Sequence, residues 1–179
     1  MKVKKLNILL AVILSFSYLF IPFLKAEAQT DYERISSFES NVELQQNTDI
    51  IITEKITYHF PEEKHGIYRD IPVSYKVLGG FKRPTTLELK YLKYYDINNP
   101  STIKEEYEKS SFNGYIRYKI GDPDELLIGD YVFEIAYTLK NTTNYFDDHD
   151  ELYLNITGNN WDIPIDNVSA YIKVPGSIT

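Results

Sequence analysis

From Ile50 to Phe60 the chain alternates with a period of two. Ile50, Ile52, Ile56, Tyr58 and Phe60 fall on one side, and Ile51, Thr53, Lys55, Thr57 and His59 on the other. Only extended backbone sends successive side chains to opposite faces, so this pattern dictates a long β-strand with one buried face. Glu54 is the single exception on the apolar side. A carboxylate in a core is expensive unless it is paired and hydrogen-bonded, so the fold has to deliver a cation to it.

The same period recurs along the chain. Phe38, Ser40, Val42 and Leu44 predict a first strand, and Ser74–Leu78, Thr86–Tyr94, Tyr115–Ile120, Tyr131–Leu139, Glu151–Thr157 and Val168–Val174 predict others. Gly79-Gly80, Asn98-Asn99-Pro100, Asn113-Gly114, Gly121-Asp122-Pro123, Gly129-Asp130 and Gly158-Asn159-Asn160 supply turns between them. Only Ser101–Ser111 has any helical character. Many short alternating strands with such turns predict an all-β fold, an antiparallel β-sandwich of about seven to nine strands. Leu127–Phe133 resembles the entry to a late strand of immunoglobulin- or fibronectin-like domains, where a Tyr after a turn bonds back to the backbone.

The amino terminus predicts export. Lys2, Lys4 and Lys5 precede an apolar run from Leu6 to Leu24, and Ala26-Glu27-Ala28 offers small residues for cleavage before Gln29. Residues 1–28 therefore read as a signal peptide, with an uncleaved anchor as the alternative. Residues 29–37 read as a polar leader, 38–175 as the sandwich, and 176–179 as the start of a connection to a further part. Removing residues 1–28 takes four Lys and one Glu, and moves the formal charge from −7 to −10. Such an acidic domain is unsuited to nucleic acid or to an anionic lipid surface. The chain has no cysteine, so packing alone must hold it together.

Two segments carry a resemblance. Gly66-Ile67-Tyr68-Arg69-Asp70-Ile71-Pro72 and the run Asp147–Ile165, with Trp161-Asp162-Ile163-Pro164-Ile165 at its end, are similar to the signature of a family of predicted bacterial membrane proteins. The family is domain of unknown function 2207, YciQ-like. The resemblance implies an extracytoplasmic ectodomain, joined in relatives to transmembrane helices. It makes the chain an N-terminal piece attached to the membrane through a C-terminal segment or an uncleaved anchor. A chain that truly ended at Thr179 would instead be secreted. The resemblance implies no reaction and no cofactor. The expected partner is another envelope protein or the remainder of its own chain.

Within these segments, Arg69 is the candidate partner of Glu54, in a buried pair that fixes a loop spanning Gly66–Pro72 against the sandwich. The competing reading makes Glu54 and Asp70 a carboxylate pair for glycoside chemistry, which needs two such groups about 5–10 Å apart across a cleft. Asp147, Asp148, His149, Asp150 and Glu151 form the densest charge cluster. They read as a solvated loop, with a Ca²⁺ or transition-metal site as the functional alternative. Trp161, beside Asp162 and Pro164, reads as a plug at the end of the core, or alternatively as a stacking platform for sugars. His59, His65 and His149 are scattered, and no phosphate loop, zinc-protease or nucleophile-elbow motif occurs. The sequence thus predicts a non-enzymatic recognition or scaffolding domain. A carbohydrate-binding or glycan-hydrolysing module is the runner-up.

Overall fold

The computed structural model describes residues 31–76 and 82–176. The export segment, its cleavage position, the Gly79-Gly80 turn and residues 177–179 lie outside the described residues. The described chain is all-β. A five-stranded sheet has the order β12-β1-β2-β9-β6, built from β1 (Arg34–Leu44), β2 (Ile50–Lys64), β6 (Thr86–Asp96), β9 (Leu127–Lys140) and β12 (Val168–Lys173). A three-stranded sheet has the order β3-β8-β7, from β3 (Ile67–Pro72), β7 (Tyr107–Phe112) and β8 (Tyr115–Ile120). Two small ribbons complete the set: β4 (Ser74–Lys76) with β5 (Lys82–Pro84), and β10 (Thr143–Tyr145) with β11 (Asp150–Leu152).

One core lies between the two larger sheets. The alternate residues of β2 expected to face inward do so: Ile50, Ile52, Glu54, Ile56, Tyr58 and Phe60 are all buried. Phe38 and Val42 from β1, Phe133, Ile135 and Leu139 from β9, and Ile67, Ile71, Tyr118 and Ile120 from the three-stranded sheet join the same cluster. Each such side chain contributes about 1.5–3 kcal/mol by leaving water, which is what a domain without disulfides must rely on.

Several expectations are corrected. Gly66–Pro72 is not a loop. Ile67–Pro72 is a strand whose Ile67, Arg69 and Ile71 face the core, with Tyr68, Asp70 and Pro72 on the opposite face. The flanking Gly and Pro only mark its ends. Ser101–Ser111 is not helical, because Tyr107–Phe112 is drawn into a hairpin with β8. That hairpin turns through Asn113 and Gly114, both at positive φ, as a two-residue turn requires. Of Glu151–Thr157 only the first two residues are in a strand. Arg34–Ser37, read as leader, already belong to β1. Among the described residues twelve strands, long and short, replace the seven to nine expected, and one strand pairing is parallel: β12 runs alongside β1, Phe38 opposite Val168. Tyr131 does not follow a turn. It lies inside β9, which continues through Gly129, and its ring stands edge-on to Phe60 at 6.0 Å.

Two glycines lock the sheets at one corner. Gly66 and Gly121 have φ of 134° and 139°, and a Cβ on either would overlap backbone of the other's neighbour, Ile120 O or His65 O. The β2–β3 turn and the exit of β8 can cross this closely only without side chains. On the outer face of β2, His59 holds the start of the described chain. Its Nδ1 lies 2.8 Å from Asp130 Oδ1 and its Nε2 2.5 Å from Asp31 Oδ1. Burial pulls the imidazole down, as does Arg34 nearby, but the two carboxylates outweigh them and its pKa is raised.

Two outcomes are expected. Gly66→Ala or Gly121→Ala destabilises the domain by more than about 2 kcal/mol in urea unfolding, because backbone rather than a flexible side chain must move. The raised His59 pKa stabilises the fold below its ordinary value of 6.5, and this contribution is lost as pH rises through the raised value. The melting temperature therefore falls across that window, and His59→Gln removes the step.

Candidate functional site

Three of the residues singled out by the sequence, Glu54, Arg69 and Trp161, meet in one network. Glu54 on β2 and Arg69 on β3 are 0% and 1% exposed, and they meet across the core from opposite sheets. Arg69 Nε donates to Glu54 Oε2 at 2.7 Å and Nη2 to Oε1 at 2.6 Å, a bidentate fork. Arg69 Nη1 donates to the Asp70 carbonyl at 2.9 Å, and the Tyr137 hydroxyl on β9 donates to Glu54 Oε1 at 2.7 Å. Both charges are therefore hydrogen-bonded as well as paired, which is the condition under which burial of an ion pair is tolerated. Burial works to lower the Arg69 pKa, but Glu54 more than offsets it and the guanidinium is held charged. Burial, with Glu54 beside it, pushes the Tyr137 hydroxyl well above its ordinary value, so it stays a donor.

Aromatic and backbone surfaces close over this pair. Phe38 and Trp161 hold their rings 5.5 Å and 5.9 Å from the Arg69 guanidinium carbon, and stand edge-on to one another at 6.5 Å. Trp161 Nε1 donates to Thr157 O at 2.9 Å. Gly158, at φ 77°, brings its backbone against Arg69 where any Cβ would collide with the guanidinium. The segment containing Pro164 is a strap along β1: Ile35 N donates to Pro164 O at 3.0 Å and Asp166 N to Ile35 O at 2.9 Å. Asp162 points outward and is exposed.

A second pair sits on the outer face of β3. Arg117 on β8 donates to Asp70 through Nε at 2.6 Å and Nη2 at 2.7 Å, and Asn160 from the strap adds a bond at 2.9 Å. Burial alone would raise the Asp70 carboxyl, but these donors hold it below its ordinary value. The Arg117 guanidinium is sandwiched between Tyr68 at 4.9 Å and Phe112 at 4.6 Å. Tyr68 is exposed, and beside it opens a cleft of about 520 Å³ where it meets Lys64, His65, Lys119 and Pro123.

The acidic cluster lies apart from this network. Asp147, Asp148, His149, Asp150 and Glu151 are all exposed. Asp148 bonds the next residue, His149, at 2.7 Å, and the His149 ring stacks on Phe146 at 4.7 Å. Among the described residues no three His, Cys, Asp or Glu side chains are grouped to hold a metal. Tyr137 and Arg117 were not singled out from sequence, and Gly158 and Asn160 read there only as a turn. Their roles depend on strand register and on the path of the strap, which local patterns do not encode.

Glu54→Ala leaves Arg69 buried and unpaired and costs about 3–5 kcal/mol. Tyr137→Phe removes one bond to a charged group and costs about 1.5–3 kcal/mol. Replacing both members, Glu54→Leu with Arg69→Met, recovers most of the first loss. Urea unfolding followed by fluorescence of Trp161, the single Trp, checks all three.

Comparison with known proteins places this architecture. The family model described as "Predicted membrane protein (DUF2207) N-terminal domain" matches residues 34–179. The uncharacterized protein YciQ of Escherichia coli (strain K12) is 28% identical over 162 residues, which cover 86% of this chain and 25% of that protein. The chain thus spans a quarter of the length of this relative. Among solved structures, a chain from Parabacteroides distasonis ATCC 8503, described provisionally as a protease, overlaps at a TM-score of 0.35 and 8% identity. That overlap covers 60% of this chain and 22% of the other, too slight to bear on fold or function. On the family match, which takes in both motif segments and nearly all of the described residues, the chain belongs to the DUF2207 family of predicted membrane proteins, as its N-terminal domain.

Proposed function

We propose that this is a recognition or scaffolding domain on the extracytoplasmic face of the membrane, without catalytic activity of its own. Its partner is another envelope protein or a further part of its own polypeptide. One observation carries the reading: the charged groups of the Gly66–Pro72 segment are consumed in structure. Arg69 is taken by Glu54, and Asp70 by Arg117 and Asn160. What the segment offers to solvent is Tyr68 and the cleft beside it, a surface suited to contact rather than to bond cleavage. The glycan-module alternative draws less support. Glu54 has no solvent access, and Trp161 is engaged with Arg69 and Phe38 instead of presenting a free platform.

The cysteine-free chain makes the location directly testable. Glu62→Cys places one thiol at an exposed position of β2. A membrane-impermeant maleimide added to intact expressing cells is expected to label it. Labelling that appears only after lysis would put the domain on the cytoplasmic side and overturn the reading.

A further inference from the structure

The two edges of the five-stranded sheet differ in kind. β6 is guarded: a bulge interrupts it between Leu89 and Tyr91, Glu88 and Lys90 place charges along it, and Tyr94 is bridged to Lys104. These are the devices that keep an edge from recruiting another strand. β12 has none of them over Val168–Tyr171, and among the described residues its outer edge pairs with nothing. Its exposure is out of keeping with its position. Val168 and Ile172 are 52% and 55% exposed, while the β1 residues beside them on the same face, Phe38 and Val42, are 0% and 1%. Among the described residues the core face of the sheet thus runs one strand beyond its cover.

The register says what can add there. Phe38 N donates to Asn167 O, so the odd-numbered residues of β12 direct their peptide groups to β1. Val168, Ala170 and Ile172 therefore turn theirs to the open edge, with side chains on the apolar face. The edge accepts an extended strand that carries apolar residues at alternate positions and free peptide groups at those same positions. β12 itself meets that description.

We propose that β12 pairs with β12 of a second copy of this chain, antiparallel about a two-fold axis at Tyr171, to form one continuous ten-stranded sheet. The axis sets Ala170 opposite Ile172 and Val168 opposite Val174, apolar against apolar on the core side. On the other face Ser169 stands opposite Lys173. Ser169 neighbours Glu39 of its own β1, and Lys173 neighbours Glu43, which it contacts at 2.7 Å. Each Lys173 then lies in a row between its own Glu43 and the second copy's Glu39, about 10 Å away across two strand spacings and within reach of the two side chains. The small Ser169 leaves that path open. The pairing brings a cation to an acid on both sides of the axis, which offsets part of the repulsion between two acidic domains.

The register makes a sharp test, again because the chain lacks cysteine. Tyr171 opposite Tyr171 is a non-hydrogen-bonded pair with Cα atoms about 4.5 Å apart, a separation a disulfide spans. The full chain carrying Tyr171→Cys, oxidised in the membranes of expressing cells, is expected to run as a covalent dimer on a non-reducing gel. Ser169→Cys, which faces Lys173, and the distant Glu62→Cys are expected to stay monomeric. In mild detergent the unaltered chain is expected to show the mass of two copies by light scattering, falling to one on dilution. Ala170→Pro, which removes an outward N–H without touching the β1 ladder, is expected to be monomeric with an unchanged melting temperature. A monomer at every concentration, equal cross-linking at all three cysteines, or a dimer that survives Ala170→Pro would each overturn the proposal. None of these outcomes depends on which side of the membrane the domain occupies.

Discussion

The charge pair between Glu54 and Arg69 is the constraint around which this domain is arranged. The two groups come from opposite sheets, so the pair fixes the sheets' relative position as well as neutralising a buried carboxylate. Its stability contribution is small or even negative against a well-packed apolar alternative, since two ions must lose their water. What it supplies is direction. Leu or Ile on the two sheets would tolerate sliding, whereas a bidentate fork with bonds of 2.6–2.7 Å tolerates very little. The surrounding choices follow. Tyr137 supplies the remaining donor to the carboxylate, Phe38 and Trp161 face the guanidinium with ring surfaces, and only a glycine fits at position 158.

A second tier extends the same logic outward. Arg69 and Asp70 are successive residues on β3, so their side chains point to opposite faces of the three-stranded sheet. One closes the core and the other organises the exterior through Arg117, Tyr68 and Phe112. The strap from Asn155 to Ile165 serves both faces, with Trp161 over Arg69 and Asn160 on Asp70. The Gly66–Pro72 segment and the later part of Asp147–Ile165, from Asn155 on, are thus parts of a single assembly. This explains why neither makes chemical sense alone.

Much of this was legible in the chain, and the failures have identifiable causes. The period of β2 placed Glu54 in the core and demanded a cation, because parity along a strand is a local property. Asn113-Gly114 announced its hairpin for the same reason. Ile67–Pro72 also alternates, yet its resemblance to a family motif suggested a loop. Gly66 in fact serves a backbone crossing with Gly121, a contact between distant segments that no local pattern reports. The segment 101–111 is polar enough to suit a helix, and only its pairing with β8 makes part of it a strand. The parallel placement of β12 was illegible because strand direction is set by the path of the strap. The role of Tyr137 depends on the register of β9 against β2, which is likewise a long-range property.

The parallel pairing of β1 with β12 also determines the order in which the domain can be completed. The first strand of the described chain gains its second neighbour only when a segment 130 residues later arrives. Arg69 can reach Glu54 after a loop of only 15 residues, so the pair can form early in synthesis, while still wet on one side. Trp161 and Asn160 follow about 90 residues later and cover it. Covering the pair lowers the dielectric around it, which strengthens the attraction between the two charges. In the finished fold the strap's share of this is visible, with Trp161 over the guanidinium of Arg69 and Asn160 on Asp70. The last segments thus bring both a new ladder on β1 and the cover that keeps water from the ion pair.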